Sequence, residues 1–246
     1  MIGSPFHVLA SVDSTNNYAT AEVNAGIVTS GSAYFAMEQY AGKGQRGKSW
    51  SSVPGENIIL TVVLQPPLTL SQQFMLSMTV ALAQHDFFSK YAGSETAIKW
   101  PNDLYWRDRK AGGTLIENIL RGSQWQYAIA GMGININTPH FPPALVNPVS
   151  LKQITGKEYD SLALAQELCT FLDKRFNDLP LIQETVLRNE YKSKLFRFNE
   201  PGLYKIDGEF FTGIIRDILP SGLLQLEREG KLLELGVGEV EFVKTT

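Results

Sequence analysis

Gly42-Lys43-Gly44-Gln45-Arg46-Gly47-Lys48-Ser49-Trp50 brings three glycines and three cations together in nine residues, a composition suited to a loop that holds an anion. Gly42 to Ser49 also satisfies the nucleotide-binding formula G-x-x-x-x-G-K-[ST], so its context decides the fold. A P-loop opens a helix, because the helix N-terminus and its free backbone N–H groups are half of the phosphate site. Here the loop is followed by the turn-rich run Trp50-Ser51-Ser52-Val53-Pro54-Gly55-Glu56-Asn57. Ile58-Ile59-Leu60-Thr61-Val62-Val63-Leu64 comes next and reads as a buried strand. The capacity to capture an anion remains, and the P-loop fold is excluded.

Upstream, Asp13-Ser14-Thr15-Asn16-Asn17 ahead of Tyr18-Ala19-Thr20-Ala21-Glu22 predicts an N-capped short helix ending near Gly26, and Ser32 to Gln39 predicts a strand leading into the glycine loop. Downstream, Pro66-Pro67 breaks the pattern and Leu70 to Tyr91 carries apolar residues at helical spacing. Strand-like runs follow at Thr96 to Trp100, Gly112 to Leu120 and Trp125 to Ile129, the last two joined by a turn around Arg121-Gly122-Ser123. Prolines 139, 142, 143 and 148 mark a loop before two helices at about Ser161–Phe176 and Ile182–Lys194. Strands and helices are mixed rather than strictly alternating, which predicts an α+β sheet covered by helices. From Glu200, short runs are separated by Asp-Gly, Pro-Ser-Gly and Glu-Gly turns, the signal of close-spaced hairpins. They predict a small β-barrel of SH3-like size, dividing the chain into residues 1–197 and 198–246.

With 246 residues, 43% of them hydrophobic, the chain can bury a full core. Its 22 Lys+Arg against 25 Asp+Glu argue against bulk nucleic-acid binding and single out the cations of the 42–50 loop. Cys169 is the only cysteine, so no disulfide forms within the chain, and its place in an amphipathic run predicts a small buried apolar group. No run approaches transmembrane length and the N-terminal residues lack a secretory pattern, so a cytoplasmic protein that does not engage a membrane is expected. His7, His85 and His140 have no metal-site spacing and are expected to be structural or solvated. Trp100, Trp106 and Trp125 fit packing better than base stacking.

A second dense cluster is Lys99-Trp100-Pro101-Asn102-Asp103, followed by Lys110-Ala111-Gly112-Gly113 and, further on, Gly131-Met132-Gly133-Ile134-Asn135. Pro101-Asn102-Asp103 predicts a tight turn between strands, presenting side chains in fixed directions at the end of a sheet. Lys110 precedes two glycines, where a backbone or ligand can approach closely. Taken alone, this is equally a hairpin with an exposed charged tip.

Together these segments resemble the biotin protein ligases. That family's marks are a glycine- and arginine-rich loop ending in Trp, then K-W-P-N-D, a lysine ahead of a glycine pair, and G-x-G-x-N. Gly42–Trp50, Lys99–Asp103, Lys110–Gly113 and Gly131–Asn135 reproduce them in order, after the signature Ser14-Thr15-Asn16. The resemblance implies a mixed sheet like that of class II aminoacyl-tRNA synthetases and biotin synthetases, with helices and a C-terminal SH3-like barrel. It also implies a two-step reaction with ATP, biotin and Mg²⁺. Biotin attacks the α-phosphate of ATP to give biotinyl-5′-AMP and pyrophosphate, and a lysine of a biotin carboxyl carrier protein then takes the biotinyl group.

By similarity, Lys110 bridges the biotin carboxylate and the α-phosphate, where a cation acts strongly once water is excluded. Asp103 is its catalytic companion, holding Mg²⁺ through water or accepting the proton of the incoming lysine. Ser14, Thr15, Asn16 and Gln39 match the biotin pocket, and the neutral ureido ring calls for such hydroxyls and amides. Ser14 and Thr15 also read as a plain N-cap, and Gln39 as an outward residue at a strand end. Lys43, Gly44 and Gln45 match the loop that closes over biotin. Lys43, Arg46, Trp50, Lys99, Asn102 and Asn135 fall on the ATP or adenylate side, with Lys48 nearby. The commoner form of the family has arginine at positions 43 and 45. Lysine keeps the charge without the bidentate fork and glutamine removes it, leaving Arg46 to substitute. The rival reading of the same fold is a lipoate protein ligase. A DNA-binding repressor is not expected, since 13 residues precede Ser14. Either a monomer or a homodimer is compatible with the sequence.

Overall fold

The computed structural model describes residues 1–122 and 124–244, so Ser123 of the expected turn lies outside the described residues. The chain opens with β1 (Phe6–Val12), α1 (Thr15–Asn24) and β2 (Ala33–Gln39), then the short strands β3 (Gly42–Lys43) and β4 (Ser49–Trp50). Next come β5 (Ile58–Leu64), α2 (Gln73–Ala92), β6 (Thr96–Lys99), β7 (Asp103–Trp106), β8 (Arg109–Arg121) and β9 (Gln124–Ile134). Three helices follow, α3 (Leu151–Thr155), α4 (Ser161–Asp178) and α5 (Glu184–Ser193). The chain then forms β10 (Pro201–Ile206), β11 (Glu209–Ile218), β12 (Leu224–Arg228), β13 (Lys231–Leu235) and β14 (Glu241–Phe242).

Seven strands make a mixed sheet in the order β1-β2-β5-β9-β8-β7-β6. β1 and β2 are parallel, joined through α1 as a parallel pair requires, and the other neighbours are antiparallel. All seven residues of β5 are buried because the sheet is covered on both faces. One set of alternating residues, Ile58, Leu60 and Val62 with Ala128, Ala130, Met132 and Ile134 of β9, joins the apolar residues of α2 and α4 in the main core. On the other face Val63 and Ile129 pack with Tyr34 and with Ala19 and Val23 of α1 in a smaller cluster. The candidate site residues Thr15, Gln39, Asp103 and Lys110 gather on this second face.

The expected helices and strands are present with shifted ends. β9 runs on to Ile134 instead of stopping at Ile129, so the glycines of Gly131–Asn135 lie in a strand, not in the loop after it. β1 and α3 were not expected. α3 is brief but closed at both ends. Gln153 N–H donates to Ser150 Oγ at 3.2 Å, Ser150 N–H donates to Gln153 Oε1 at 3.3 Å, and Gly156 takes a left-handed φ of 73°.

The C-terminal strands form a separate antiparallel sheet in the order β13-β12-β11-β10-β14. The main core runs on into it through Tyr204, Ile215, Leu226 and Leu235. Polar links join the two parts of the chain as well. Trp100 Nε1 donates to Gly222 O at 3.0 Å, and Lys192 Nζ donates to Asp217 Oδ1 at 2.9 Å. Trp106 and Trp125 also donate to backbone carbonyls, so these three indoles are packing groups as expected. Among the described residues no helix is long and apolar enough to cross a membrane.

Candidate active site

Register explains which side chains meet. Residues directly opposite in an antiparallel pair share a face, and Lys99 lies opposite Asp103, Tyr105 opposite Lys110, and Asp103 opposite Gly113. Lys110 and Gly113 are three positions apart and would fall on opposite faces of a regular strand. A register shift between Leu104 and Tyr105 inserts one extra residue into β8 and returns both to the face of Asp103. Lys110 Nζ then donates to Asp103 Oδ1 at 2.6 Å across Gly113. A Cβ on Gly113 would stand 3.0 Å from that oxygen and 3.3 Å from the ammonium. The pair is partly exposed, at 35% for Lys110 and 25% for Asp103, and so reachable by a ligand.

Lys99 is enclosed beside them. Its ammonium lies 3.2 Å from Tyr105 Oη, and 5.2 Å and 5.0 Å from the ring centroids of Tyr105 and Phe242. Burial pushes its pKa below the ordinary lysine value, and Lys110, Lys48 and Arg197 act in the same direction against the pull of Asp103. Burial likewise pushes the Tyr105 phenol up. The carboxamides of Asn102 and Asn135 hold backbone near this cluster. Asn102 Nδ2 donates to Thr114 O at 2.6 Å, and Asn135 Nδ2 donates to Val149 O at 3.1 Å with Lys110 O at 3.5 Å.

Further along the same face lies a cluster of uncharged polar side chains. Ser14 occupies the N-cap position of α1 in an extended conformation, yet among the described residues its hydroxyl makes no capping hydrogen bond. Gln39 supplies a partner instead, its Oε1 accepting from Thr15 N at 2.8 Å and from Thr15 Oγ1 at 3.2 Å. Gln39 therefore turns inward, and the outward reading of it fails. Thr61 Oγ1 sits 2.8 Å from Thr15 Oγ1 and 2.7 Å from Asn16 Oδ1. Asn16 Nδ2 donates to Glu117 Oε2 at 2.7 Å, and Glu117 meets Lys43 Nζ at 3.8 Å. Thr15, Asn16 and Thr61 are at most 4% exposed and bond to one another and to Gln39 and Glu117 inside the fold, with Ser14, 1% exposed, beside them.

Thr61 and Glu117 were missed by sequence reasoning. Thr61 carried a signal, being the one polar residue in Ile58–Leu64, whereas Glu117 carried none.

The glycine loop folds as a ribbon over this face. β3 pairs with β4, Gly44 N donates to Lys48 O at 2.6 Å, and a single 3₁₀ turn spans Gln45–Gly47. No helix follows the loop, in agreement with the exclusion of a P-loop. Trp50 lays its indole where a Cβ of Gly133 would stand, and the Asn16 carboxamide fills the same place at Gly131. Larger residues at either position would collide with the ribbon or the polar cluster. Trp50 Nε1 is buried without a hydrogen-bond partner among the described residues. Lys43 and Lys48 are exposed. Arg46, the suggested replacement for arginine at position 45, donates from Nη1 to Val237 O at 2.9 Å in the C-terminal unit.

Residues 8–135 match the model of the biotin/lipoate A/B protein ligase family. Two curated relatives are each 31% identical. The bifunctional ligase/repressor BirA of Escherichia coli matches over 98% of this chain and 74% of its own length, and the biotin--[acetyl-CoA-carboxylase] ligase of Paracoccus denitrificans over 96% and 99%. Among solved structures, the biotin protein ligase from Aquifex aeolicus in complex with biotin and ATP superposes with a TM-score of 0.80 at 22% identity, covering 98% of this chain and 99% of that one.

Proposed function

Because the chain belongs to the biotin/lipoate A/B protein ligase family, we propose that its second sheet face activates biotin with ATP and passes it to a carrier protein. The observation that carries this reading is the continuity of the face: a cluster of uncharged polar side chains at Ser14–Gln39–Thr61 runs past Gly131 and Gly133 to the Lys110–Asp103 pair. Such side chains suit the ureido ring, which both donates and accepts hydrogen bonds, better than the apolar dithiolane of lipoate.

In the first step a carboxylate oxygen of biotin bonds to the α-phosphorus of ATP, and the bond to the bridging oxygen of pyrophosphate breaks. Lys110 stands between the two anions and offsets the charge that accumulates as they meet. In the second step the amine of a carrier lysine attacks the biotinyl carbonyl, AMP leaves, and Asp103 accepts the amine's proton. Mg²⁺ is commonly held by one or two carboxylates with substrate phosphates, so Asp103 fits as its protein ligand, and when bound the ion would polarise the phosphate oxygens. The Paracoccus relative is named as a ligase of acetyl-CoA carboxylase, which supports a biotin carboxyl carrier protein as the acceptor here, and the need for ATP suits a cytoplasmic reaction. Residues 198–246 serve as an SH3-like barrel unit alongside the catalytic residues 1–197.

Pyrophosphate release from ATP tests this directly. It is expected to require biotin and to stay at background with lipoate or with ATP alone. Release driven by lipoate would transfer the site to the rival ligase, and release without either acid would return it to nucleotide hydrolysis.

A further inference from the structure

Arg46 is the tip of the ribbon and sits in a left-handed conformation, φ 55° and ψ 43°, that costs a non-glycine residue energy. That conformation sends its side chain away from the sheet and onto the turn Gly236-Val237-Gly238-Glu239. The guanidinium donates from Nη1 to Val237 O at 2.9 Å and lies in the space a Cβ of Gly238 would occupy. Gly238 itself has a φ of 84°. The turn is braced internally, with Gly236 N donating to Glu239 Oε2 at 2.6 Å and Glu239 N donating to Gly236 O at 3.1 Å. A few residues on, Phe242 covers the ammonium of Lys99. One stretch of the C-terminal unit thus touches both the lid and the cation cluster.

We propose that Arg46 is a positioning residue, a tether that fixes the lid ribbon to the 236–239 turn and so holds it shut over the reaction intermediate. The proposal rests on the ligase reading for what the lid encloses. The geometry of the tether stands independently of that reading. It assigns Arg46 a task different from the phosphate contact left open by Gln45. The lid keeps its grip through the C-terminal unit, and of the other loop cations Lys43 meets Glu117 while Lys48 is exposed.

Three variants separate the parts of this claim. Gly238→Ala inserts a Cβ where the guanidinium lies and leaves every tryptic site of the loop in place. Arg46→Ala removes the donor, and Arg46→Lys restores a charge with a shorter reach. Loss of one hydrogen bond of this kind corresponds to about 3- to 10-fold. Trypsin should therefore cut the ligand-free loop of Gly238→Ala faster by that factor. Bound biotinyl-AMP should leave both Gly238→Ala and Arg46→Ala faster by a similar factor, with Arg46→Lys between Arg46→Ala and the parent. A merely structural role would lower the unfolding temperature without changing adenylate release. Parental loop cleavage in Gly238→Ala, together with parental adenylate release in all three variants, overturns the tether. A parent chain that makes no biotinyl-AMP overturns the ligase reading instead, and loop cleavage of the ligand-free proteins then judges the tether.

Discussion

Lys110 and Asp103 meet only because one residue is added to β8, so the charge arrangement depends on a backbone irregularity that no residue type announces. Lys110→Ala removes the cation from the place where charge develops and should slow biotinyl-AMP formation by about 10²- to 10³-fold, measured in single turnovers, while the circular dichroism spectrum is unchanged. Lys99 makes a different prediction. Its folded pKa lies below the unfolded value of 10.5, so the unfolded state holds its proton more tightly and the buried charge destabilises the fold at neutral pH. That penalty fades as pH rises through the folded pKa towards 10.5. Lys99→Met should therefore be more stable than the parent to urea at pH 7, with the gain shrinking at alkaline pH. A Lys99→Met protein less stable than the parent at pH 7 would show that the lysine's contacts outweigh its burial. Cys169, pushed up to about 12 by burial, should resist alkylation at pH 8 until the protein unfolds.

Among the elements, β5, α2 and the two C-terminal-side helices were legible because their apolar residues recur at strand or helix spacing over many positions. β1 was not, since its alternation is broken and it lies at the sheet edge with Val8 51% exposed. The signal for α3 was present as Ser150-x-x-Gln153, but the prolines before it hid a helix of five residues. Gly131 and Gly133 lie beyond the expected strand end at Ile129, yet they are strand residues, kept bare because a carboxamide and an indole occupy their side-chain space. The candidate residues at 14–16, 39, 99, 103 and 110 were legible through their motifs. Their partners Thr61 and Glu117 were not, because contacts between distant strands leave no mark on local spacing. At this scale Thr61→Val is informative, as it keeps the shape of β5 and removes the hydroxyl shared by Thr15 and Asn16. It should cost about 1–2 kcal/mol of stability and raise the KM for biotin with little change in kcat. An unchanged KM would show that the hydroxyl supports the fold alone.

For the whole molecule, the apolar core passes without a break from the large sheet to Tyr204, Ile215 and Leu226 of the small one. The composition shift near residue 198 marks a change of architecture, while the core and the Trp100–Gly222 bond tie the two parts together. Urea unfolding should follow one transition. Tryptophan fluorescence reports residues 50, 100, 106 and 125, all in the first part, and its midpoint should coincide with that of far-ultraviolet circular dichroism. Two separated midpoints would mean that the C-terminal sheet opens by itself, and the tether of the lid with it. The decisive measurement incubates the chain with biotin, Mg-ATP and a biotin carrier domain and maps the carrier by mass spectrometry. A biotinyl group is expected on a single lysine, absent when ATP or biotin is left out. An unmodified carrier in the complete mixture, or one that accepts lipoate in preference to biotin, would contradict it.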